Sequence, residues 1–393
     1  MVKIIGNNIE FNGKYNNNCI VYADNIEESS IQLIQGIVDN KISENKKIRI
    51  MPDTHTGVGI VIGFTMELGE IVNPNHVGVD IGCGMLTSVI ENTNKEDLDL
   101  VDIDKKIKSI IPLQTNVHHK ELFSLDYEIL DNKINKFVEK YNNKYNTTYS
   151  FNKNSKEYIK DMCDKIGFSY ERLKQSIGTL GSGNHFIEFG EDINKQLYVT
   201  IHTGSRQLGQ KICNYHNKQS KDNCLTDDLF FNYCIDMVIA QYYATINRKS
   251  IMELINSIIK KDISKTIECH HNYIDFDDFI IRKGAIRSYV GEEFIIPMNM
   301  RDGILLCEGK SNVEWNCSAP HGAGRIMSRK QAKDNIKLED FELTMKGIVS
   351  SSVNINTLDE APMVYKSMNY IMKKIQDTAI IKNTIKPIMN IKG

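Results

Sequence analysis

The most informative stretch of the chain is Val77-Gly78-Val79-Asp80-Ile81-Gly82-Cys83-Gly84-Met85. Glycines flank its cysteine, and Asp80 lies three residues before Cys83, so this loop can fold both side chains onto a single point. A carboxylate oxygen and a thiolate sulfur with histidines nearby suit a divalent transition metal, and a thiolate can bridge two ions. A lone cysteine is more often a buried packing residue, so the metal interpretation depends on the rest of the chain.

Four other stretches combine glycine with histidine, acidic or basic residues in the same dense way. They are Met51-Pro52-Asp53-Thr54-His55-Thr56-Gly57, Gly181-Ser182-Gly183-Asn184-His185-Phe186-Ile187-Glu188, His202-Thr203-Gly204-Ser205-Arg206 and Ser318-Ala319-Pro320-His321-Gly322-Ala323-Gly324-Arg325. Glycines in such number let the backbone approach a ligand and offer N–H groups to anionic oxygens, which makes phosphate the expected ligand class. His185 and His202 each lie where a β-rich segment meets a glycine turn, and this favours metal binding by Cys83 over simple packing.

Short β-rich segments alternate with these loops, a pattern typical of a mixed sheet core. The segments are Ile48–Met51, Ile60–Met66, Met85–Ile90, Leu197–Ile201 and Phe294–Pro297. Helical spacing appears in two blocks that look inserted, about 122–180 and about 227–261, and the second is predicted to be a pair of helices. A third amphipathic helix is predicted over about 362–378, ahead of a short C-terminal tail. No linker rich in Pro, Gly or Ser separates these blocks, so we expect one α+β domain spanning residues 1–393.

The composition is that of a globular protein. The chain has 393 residues, 41% hydrophobic and 25% charged, which excludes disorder, collagen and coiled coil as descriptions of the whole. Lys and Arg number 48 against 50 Asp and Glu, so nucleic acid contacts must come from local basic clusters. Apolar runs such as 58–66 are too short for a membrane helix, and the first residues lack a secretory signal, so a cytoplasmic protein without membrane association is expected. Nine cysteines without a Cys-x-x-Cys pair indicate neither a disulfide framework nor a zinc ribbon.

Among the ten histidines, His321 has the most specific surroundings. Gly322-Ala323-Gly324-Arg325 follows it, and Arg329 lies four residues further on. An imidazole that attacks a phosphoryl group needs an arginine or a metal to stabilise the equatorial oxygens, and glycines to admit the substrate. His271 is weaker as an isolated signal, and a half-buried polar residue is its alternative interpretation. The histidines expected at the surface, because they lie in polar and helix-like surroundings, are His118, His119 and His216.

Taken in order, eight motifs of this chain resemble those of the RtcB family of RNA ligases. They are Met51-Pro52-Asp53-x-His55, Gly78-Val79-Asp80-Ile81-Gly82-Cys83-Gly84-Met85, Gly183-Asn184-His185-Phe186-x-Glu188, His202-Thr203-Gly204-Ser205-Arg206, His271-Asn272, Arg282-Lys283-Gly284-Ala285, His321-Gly322-Ala323-Gly324-Arg325 and Asp359-Glu360-Ala361-Pro362. Each motif alone is weak. Together they cover nearly the whole chain in family order, so the resemblance does not depend on any one of them.

The resemblance implies a mixed β core around a dinuclear metal site, and a GTP-dependent ligase. Such an enzyme joins an RNA 3′-phosphate, or a 2′,3′-cyclic phosphate after its opening, to a 5′-hydroxyl end. Carried over to this sequence, His321 would attack the α-phosphorus of GTP to give a covalent guanylate and release pyrophosphate. The guanylyl group would pass to the RNA 3′-phosphate, and the 5′-hydroxyl would then attack that activated end as GMP leaves.

Two Mn²⁺ ions are the implied cofactors. By resemblance Asp80, Cys83 and His185 would hold one ion, while Cys83, His202 and His271 would hold the second, the thiolate bridging. Two adjacent ions can neutralise a triphosphate and orient the in-line attack. Neutral His321 can attack without a separate base if a hydrogen bond holds its other ring nitrogen, a partner that the sequence does not name.

The implied nucleotide site is larger than the metal site. Its residues would be Asn184, Glu188, Ser205, Arg206, Pro297, Asn299, His321, Gly322, Ala323, Gly324, Arg325, Tyr365 and Lys392. Glu188 would read the guanine edge, and Tyr365 and Lys392 would close over the base. The alternatives are that Glu188 is a surface carboxylate and that Lys392 belongs to a frayed tail.

RNA and GTP are the implied partners, and an archease-like activator is compatible with the resemblance. Asp53 and His55 would support the site from behind or touch RNA. The basic residues expected to contact RNA are Arg206, Arg282, Lys283, Arg287, Arg325 and Arg329.

One loop departs from the family pattern. Where a small-residue Pro-Gly-Ser-Met-Gly-like nucleotide loop is expected, this chain reads Pro297-Met298-Asn299-Met300-Arg301-Asp302-Gly303. The departure fits a divergent paralogue with a different RNA target, in RNA repair in place of tRNA splicing. It also leaves two rival functions open. One is a metal-dependent phosphodiesterase or phosphatase acting on RNA ends without a guanylate, and the other is a non-catalytic protein that binds RNA ends.

Overall fold

A computed structural model gives the architecture and describes residues 2–6 and 8–393. Its strands are β1 (Val2–Ile5), β2 (Asn8–Phe11), β3 (Cys19–Val21), β4 (Ile48–His55), β5 (Ile62–Glu67), β6 (Gly84–Ile90), β7 (Phe186–Glu191), β8 (Leu197–Thr203), β9 (Ile263–His270), β10 (Asn272–Asp275), β11 (Ile280–Lys283), β12 (Ala285–Arg287), β13 (Glu293–Asn299), β14 (Gly303–Gly309), β15 (Ser318–Pro320) and β16 (Ala379–Lys392). Its α-helices are α1 (Glu28–Val38), α2 (Leu100–Ile110), α3 (Tyr127–Tyr145), α4 (Ser155–Ile166), α5 (Tyr170–Gln175), α6 (Gln207–Gln219), α7 (Asp227–Ile259), α8 (Arg329–Asn335), α9 (Leu338–Thr344) and α10 (Met368–Lys374). Short 3₁₀ helices occupy Lys41–Ser43, Pro74–His76, Lys95–Asp97, Val313–Trp315, Ile355–Glu360, Pro362–Val364 and Ile375–Asp377.

Two seven-stranded sheets and a small two-stranded sheet form the β core. The first sheet has the order β1-β2-β3-β4-β5-β11-β10 and contains the parallel pair β3 and β4. The second has the order β13-β14-β16-β7-β8-β6-β9, with antiparallel neighbours, and β12 pairs with β15. The β-rich segments predicted from the sequence lie in these sheets, and the predicted mixed α+β domain is confirmed.

Apolar side chains cover the second sheet on two sides. One cluster contains Phe294, Ile296 and Ile371, and the other contains Val199 and Ile255. A sheet that is buried on both faces can hold polar side chains only where its strands end or where partners satisfy them. The ends of these strands are therefore where a polar site can form.

The block about 227–261 differs from the predicted helical pair, because it forms one 33-residue helix, α7. Its first half packs among α3 and α6, and its second half packs against α2 and β8. A helix with partners all round needs no polar stripe, so its apolar residues do not reveal one face. Asn247 and Arg248 interrupt the apolar pattern, but both are buried and hydrogen-bonded to main-chain groups of other segments. The helix therefore continues through them.

The block about 122–180 holds α3, α4 and α5, as its helical spacing predicted. Leu130, Ile134 and Phe137 of α3 are buried in the large core cluster. That the two helical blocks are elaborations of a domain spanning residues 1–393 stays a prediction. None of the described helices, α7 included, combines the length and the apolarity needed to cross a bilayer.

The C-terminal region differs most from the prediction. The expected helix over about 362–378 is broken, with α10 between two 3₁₀ turns. The expected tail is instead the 14-residue strand β16, which pairs with β14 on one side and β7 on the other. A register shift between Pro387 and Met389 accommodates a proline, which cannot donate to the ladder. Lys392, at the end of this central strand, is thereby fixed in place.

Candidate metal and nucleotide site

The metal-ligand candidates meet because their strands are neighbours in the second sheet. His202 lies in β8 opposite Met85 of β6 and Phe186 of β7. Cys83 directly precedes β6, and His185 directly precedes β7. Gly84 pairs with His270 of β9, so His271 follows at the same end. Sheet register thus collects four ligands that lie far apart in the sequence.

Asp80, Cys83 and His185 form the first group, with ligand atoms within 4.8 Å of one another. His185 Nδ1 faces the carbonyl oxygen of Leu180 at 2.9 Å, and because a carbonyl only accepts, this nitrogen carries the proton. The other ring nitrogen, Nε2, lies 2.9 Å from Asp80 Oδ2 and 3.6 Å from Cys83 Sγ. Two acceptors at that distance require a proton or a cation between them, so the arrangement fits a metal ion.

The second group consists of Cys83, His202 and His271, so the Cys83 thiol belongs to both groups. His202 Nδ1 donates to the carbonyl oxygen of Asn184 at 3.0 Å, which leaves Nε2 free to bind a metal. That Nε2 lies 3.3 Å from Cys83 Sγ and 3.2 Å from His271 Nε2. Buried sulfur and imidazole nitrogens of this kind are ligands for a borderline or transition metal. The donor sets of the two groups therefore fit the two ions that the resemblance implies.

Burial controls protonation in both groups. It lowers the pKa of His202 and of His271 well below the usual value, and neighbouring histidines lower both further. Burial also raises the pKa of the Cys83 thiol, and Asp80 adds to that rise. Burial alone would raise the pKa of Asp80, but His185 outweighs it and holds that carboxyl below its usual range. His202 and His271 are thus neutral ligands, and Cys83 needs a cation beside it to ionise.

Gly204 is a position beside the first group where close approach demands glycine. A Cβ at this residue would lie 2.2 Å from Asp80 Oδ1, so any side chain would push the carboxylate out of the first group. The motif His202-Thr203-Gly204 thus serves both groups, since it supplies a ligand and makes room for another.

His321 lies beside the second group and is bonded to a buried carboxylate. Its Nδ1 lies 2.7 Å from Asp53 Oδ2, and its ring centroid lies 4.8 Å from that of His271. The main-chain N–H of Gly322 also donates to Asp53 Oδ2, at 3.2 Å. Asp53 is fully buried in β4, and its Oδ1 finds no hydrogen-bond partner among the described residues. Asp53 is the partner of His321 that the sequence could not name, and it leaves Nε2 as the free nitrogen.

A cleft of about 480 Å³ opens at His202 and His321, a volume suited to a nucleotide-sized ligand. Eleven of the predicted nucleotide residues line it: Asn184, Glu188, Pro297, Asn299, His321, Gly322, Ala323, Gly324, Arg325, Tyr365 and Lys392. The cleft also contains residues that the sequence analysis did not assign to nucleotide binding, among them Phe186, Met298, Met300 and Asn390. An aromatic ring and two thioethers give it an apolar wall of the kind that a base can pack on.

Glu188 is buried inside this cleft, so the surface-carboxylate alternative is wrong. Only 4% of the residue is exposed, and its Oε1 has no hydrogen-bond partner within residues 2–6 and 8–393. Burial raises the pKa of Glu188 to about 8, with Lys392 opposing the rise. An unpaired buried carboxyl is costly unless a ligand supplies donors, which makes Glu188 a candidate contact for N–H groups of a base.

Glu360 organises the far side of the cleft. Its Oε2 lies 3.0 Å from Lys392 Nζ and accepts a hydrogen bond from the Tyr365 hydroxyl at 2.7 Å. Its Oε1 lies 2.7 Å from Arg329 Nη1. Lys392 is therefore an anchored residue, and the frayed-tail alternative is wrong. The motif Asp359-Glu360-Ala361-Pro362 was the only sequence signal for this carboxylate, and nothing in it assigns a partner.

Ser205 and Arg206 lie outside the cleft. The Ser205 hydroxyl donates to the carbonyl oxygen of Ile81 at 2.5 Å, inside the loop that carries Asp80. Arg206 Nε donates to the Thr179 hydroxyl at 2.9 Å. These two residues hold the ligand loops, so the structure gives their assignment to the nucleotide no support.

Three basic residues expected to contact RNA have carboxylate or main-chain partners within the protein. Arg282 is fully buried and bonded to Asp275 at 3.1 Å and Asp278 at 2.6 Å. Lys283 is buried and donates to main-chain carbonyls, and burial lowers its pKa to about 8. Arg287 also pairs with Asp275, at 3.1 Å. The expectation is wrong for Arg282 and Lys283, because buried cations that are already bonded cannot reach RNA.

Two histidines expected at the surface are buried. His118 Nε2 lies 3.0 Å from the carbonyl oxygen of Gly178, and His216 Nε2 lies 2.7 Å from Asp236 Oδ2. His119 is exposed, as expected. The polar and helix-like sequence around the first two hid the fact that their helices and loops face the core.

The departing loop forms the hairpin between β13 and β14. Asn299 Oδ1 accepts the main-chain N–H groups of Arg301 at 3.0 Å and Asp302 at 2.9 Å, which closes the turn. Met298 and Met300 are buried within the cleft wall. The loop thus lines the same cleft through larger side chains than the expected small residues.

Comparison with known proteins is consistent over nearly the whole chain. Residues 40–393 match the family model described as tRNA-splicing ligase RtcB. The chain is 28% identical to the RNA-splicing ligase RtcB of Escherichia coli K12, over 88% of this chain and 90% of that protein. It is 27% identical to the tRNA-splicing ligase RtcB of Nanoarchaeum equitans, over 88% of each chain. It is 24% identical to that of Pyrobaculum aerophilum, over 95% of this chain and 94% of the other.

Proposed function

The chain belongs to the RtcB family, and from this premise we propose that it is a GTP- and Mn²⁺-dependent RNA ligase joining RNA 3′-phosphate or 2′,3′-cyclic phosphate ends to 5′-hydroxyl ends. One observation carries the proposal. His321 is bonded to buried Asp53 through Nδ1, adjoins the metal-ligand groups, and lines a nucleotide-sized cleft. A histidine with one nitrogen held and the other free at such a cleft is suited to nucleophilic attack.

His321 is the proposed nucleophile. Its Nε2 attacks the α-phosphorus of GTP, so that a nitrogen–phosphorus bond forms, the α–β anhydride bond breaks and pyrophosphate leaves. The proton on Nδ1 stays in the hydrogen bond with Asp53, whose carboxylate stabilises the positive charge that develops on the ring. No separate general base is needed, because Nε2 carries the attacking electron pair.

Guanylyl transfer and ligation follow at the same cleft. An oxygen of the RNA 3′-phosphate attacks the guanylate phosphorus and releases His321 Nε2. The 5′-hydroxyl of the second RNA end then attacks the activated 3′-phosphate, so that a phosphodiester bond forms, the anhydride bond to the guanylate breaks, GMP leaves and the hydroxyl proton passes to water. A 2′,3′-cyclic end must first be opened by water to a 3′-phosphate.

Different residues of the cleft would bind different parts of GTP. Glu188 is placed to accept N–H groups of the base, while Tyr365 and Lys392 close the far side through Glu360. Arg325 and the half-exposed Arg329 are the cations that remain near the cleft for phosphate. GTP use through the hairpin residues Pro297 and Asn299 is part of the proposal.

Two Mn²⁺ ions would be held by the groups described above. When bound, they supply charge neutralisation for the triphosphate and for the leaving oxygen. Cys83 belongs to both groups and His202 also lines the cleft, so the chain's own geometry brings the ions and the nucleotide together. RNA repair and tRNA splicing both supply the required ends, and an archease-like activator remains compatible with either.

A ligation assay with defined RNA ends tests the proposal. One RNA pair carries a 3′-phosphate and a 5′-hydroxyl, and the other carries a 3′-hydroxyl and a 5′-phosphate; each is incubated with Mn²⁺ and either GTP or ATP. The proposal predicts joining only of the first pair, only with GTP, and none by His321→Ala. Removal of the phosphate by His321→Ala without GTP would favour the phosphatase, and RNA-end binding without turnover by the wild type would favour the non-catalytic protein.

A further inference from the structure

Arg248 lies in the second half of α7 with its side chain fully buried. A buried guanidinium is expensive unless each of its N–H groups finds an acceptor, so its contacts identify what holds it there. Nη1 donates to the carbonyl oxygens of Gly82 at 2.9 Å and Thr203 at 2.8 Å. Thr203 is the last residue of β8 and Gly82 lies in the loop before β6, and both residues are next to metal-ligand candidates.

Arg248 contacts residues that are adjacent in sequence to the members of the second metal-ligand group. Gly82 directly precedes Cys83, and Thr203 directly follows His202. A third contact joins Arg248 Nη2 to Nε2 of His270 at 2.8 Å, and His270 directly precedes His271. One side chain thus touches the neighbour of every residue in the Cys83, His202 and His271 group.

Glu268 fixes the orientation of this guanidinium. Its Oε1 accepts from Nη2 at 2.8 Å and from Nε at 3.1 Å. Burial raises the pKa of Glu268, but Arg248 outweighs it and brings that pKa down to about 2, so the pair is charged under all ordinary conditions. The Glu268 carboxylate binds one edge of the guanidinium, and the other edge is directed at the carbonyl oxygens of Gly82 and Thr203.

We propose that Arg248 is a positioning residue that sets the spacing of Cys83, His202 and His271 for the second metal ion. The inference rests on the proposed function, because it takes that group to be a metal site. Arginine is required because its planar fork reaches two carbonyls and a carboxylate at once, whereas a lysine ammonium is a single point. Nothing in the sequence motifs points to this residue, since it lies in a helix far from all of them.

The test is metal binding to the full chain, measured on the metal-free protein without substrate. Co²⁺ is the spectroscopic probe, because thiolate coordination gives a charge-transfer band, and equilibrium dialysis with Mn²⁺ gives stoichiometry and affinity. Arg248→Lys is the main variant, since it keeps a cation beside Glu268 and has the better chance of folding; Arg248→Met removes the charge as well. Folding of each variant is checked by its thermal unfolding curve.

Arg49→Lys is the matched control. Arg49 is 2% exposed in β4, donates to the carbonyl oxygens of Glu314 at 2.7 Å and Asn18 at 2.9 Å, and pairs with the Glu314 carboxylate at 3.3 Å. Its replacement by lysine therefore removes the same kinds of contact at a position away from the ligand loops. A general effect of disturbing a buried arginine would appear in both variants.

The proposal predicts two Mn²⁺ ions on the wild type, and about tenfold to hundredfold weaker binding of one of them in Arg248→Lys, with a weaker Co²⁺–thiolate band. Arg49→Lys should match the wild type in both measurements. Wild-type affinity and spectrum in a folded Arg248→Lys variant would overturn the positioning role while leaving the ligase proposal intact. Failure of the wild type itself to bind Co²⁺ or Mn²⁺ would overturn both.

Discussion

The metal-ligand groups and the nucleotide cleft meet at His202 and His321, yet they are built by different means. The ligand groups sit where strands of one sheet end, and main-chain carbonyls fix His185 and His202. The cleft is assembled from the β13–β14 hairpin, the segment after His321 and the end of β16, and ion pairs around Glu360 tie it together. The geometry of the metal-ligand groups is therefore set by sheet register, whereas the geometry of the nucleotide cleft depends on a few long side chains.

Loss of Cys83 is expected to give the largest effect, because the thiol belongs to both groups. Cys83→Ala should weaken the binding of both ions by more than about 100-fold, since a lost ligand costs more than a lost outer contact. Elemental analysis of the purified protein after dialysis checks this. Cys307→Ala, which removes another buried cysteine, should retain metal, and unchanged metal content in Cys83→Ala would defeat the shared-thiolate assignment.

The next largest effect is expected at Asp53, which connects the two regions through His321. Asp53→Asn replaces the charged acceptor of the Nδ1 proton by a neutral amide, so guanylate formation should slow by about 10²- to 10⁴-fold. The rate is measured with radioactive GTP by quenched flow, alongside metal content. Metal content should stay at the wild-type value, and a variant that lost metal as well would mean that the two regions are not separable at this residue.

Glu360→Gln is the corresponding change on the cleft side. Because Lys392 loses its charged partner and Arg329 keeps only Asp359, the KM for GTP should rise about tenfold, equivalent to about 1.4 kcal/mol, with metal content unchanged. Steady-state ligation at varied GTP measures it. Glu314→Gln, at a carboxylate whose side chain is 65% exposed, is the control and should leave KM alone. An unchanged KM in Glu360→Gln would show that the ion pairs do not shape the cleft.

The smallest expected effect is a pH dependence of stability from Glu188. Its pKa is raised to about 8 in the folded chain, so the folded state binds a proton that the unfolded state has already released. The contribution of this proton is complete below the unfolded pKa of about 4.5 and is lost as pH rises to about 8. Glu188→Gln should therefore gain a few degrees of Tm relative to the wild type between pH 5 and 8 without GTP. A Tm difference between Glu188→Gln and the wild type that stays constant from pH 5 to 8 would contradict a raised pKa of Glu188 in the folded chain.

The candidate ligands that the structure brings together could be found in the sequence because the signals that mark them are local. Cys83, His185 and His202 each lie within two residues of a glycine at a strand end, and both features can be read from a few residues. The Asp53 contact with His321 joins residues 268 apart and depends on packing between two sheets, which no local pattern encodes.

The exposure of charged side chains was the property that the sequence predicted least well. Arg282 and Arg325 are the same residue type in similar glycine-containing motifs, yet one is fully buried among carboxylates and the other lines the cleft. The strand β16 was hidden for another reason, since its lysines and Pro387 resemble a polar tail. Only the neighbouring strands β14 and β7 give that segment its place.

Labelling with GTP tests the central claim most directly. The purified protein is incubated with Mn²⁺ and α-³²P-GTP and separated by denaturing electrophoresis, with His321→Ala and the exposed-histidine variant His119→Ala alongside. The account predicts an acid-labile, alkali-stable label on the wild type and on His119→Ala, and none on His321→Ala. Absence of label on a wild-type protein that has bound metal and been given intact GTP, or a label that persists in His321→Ala, would contradict it.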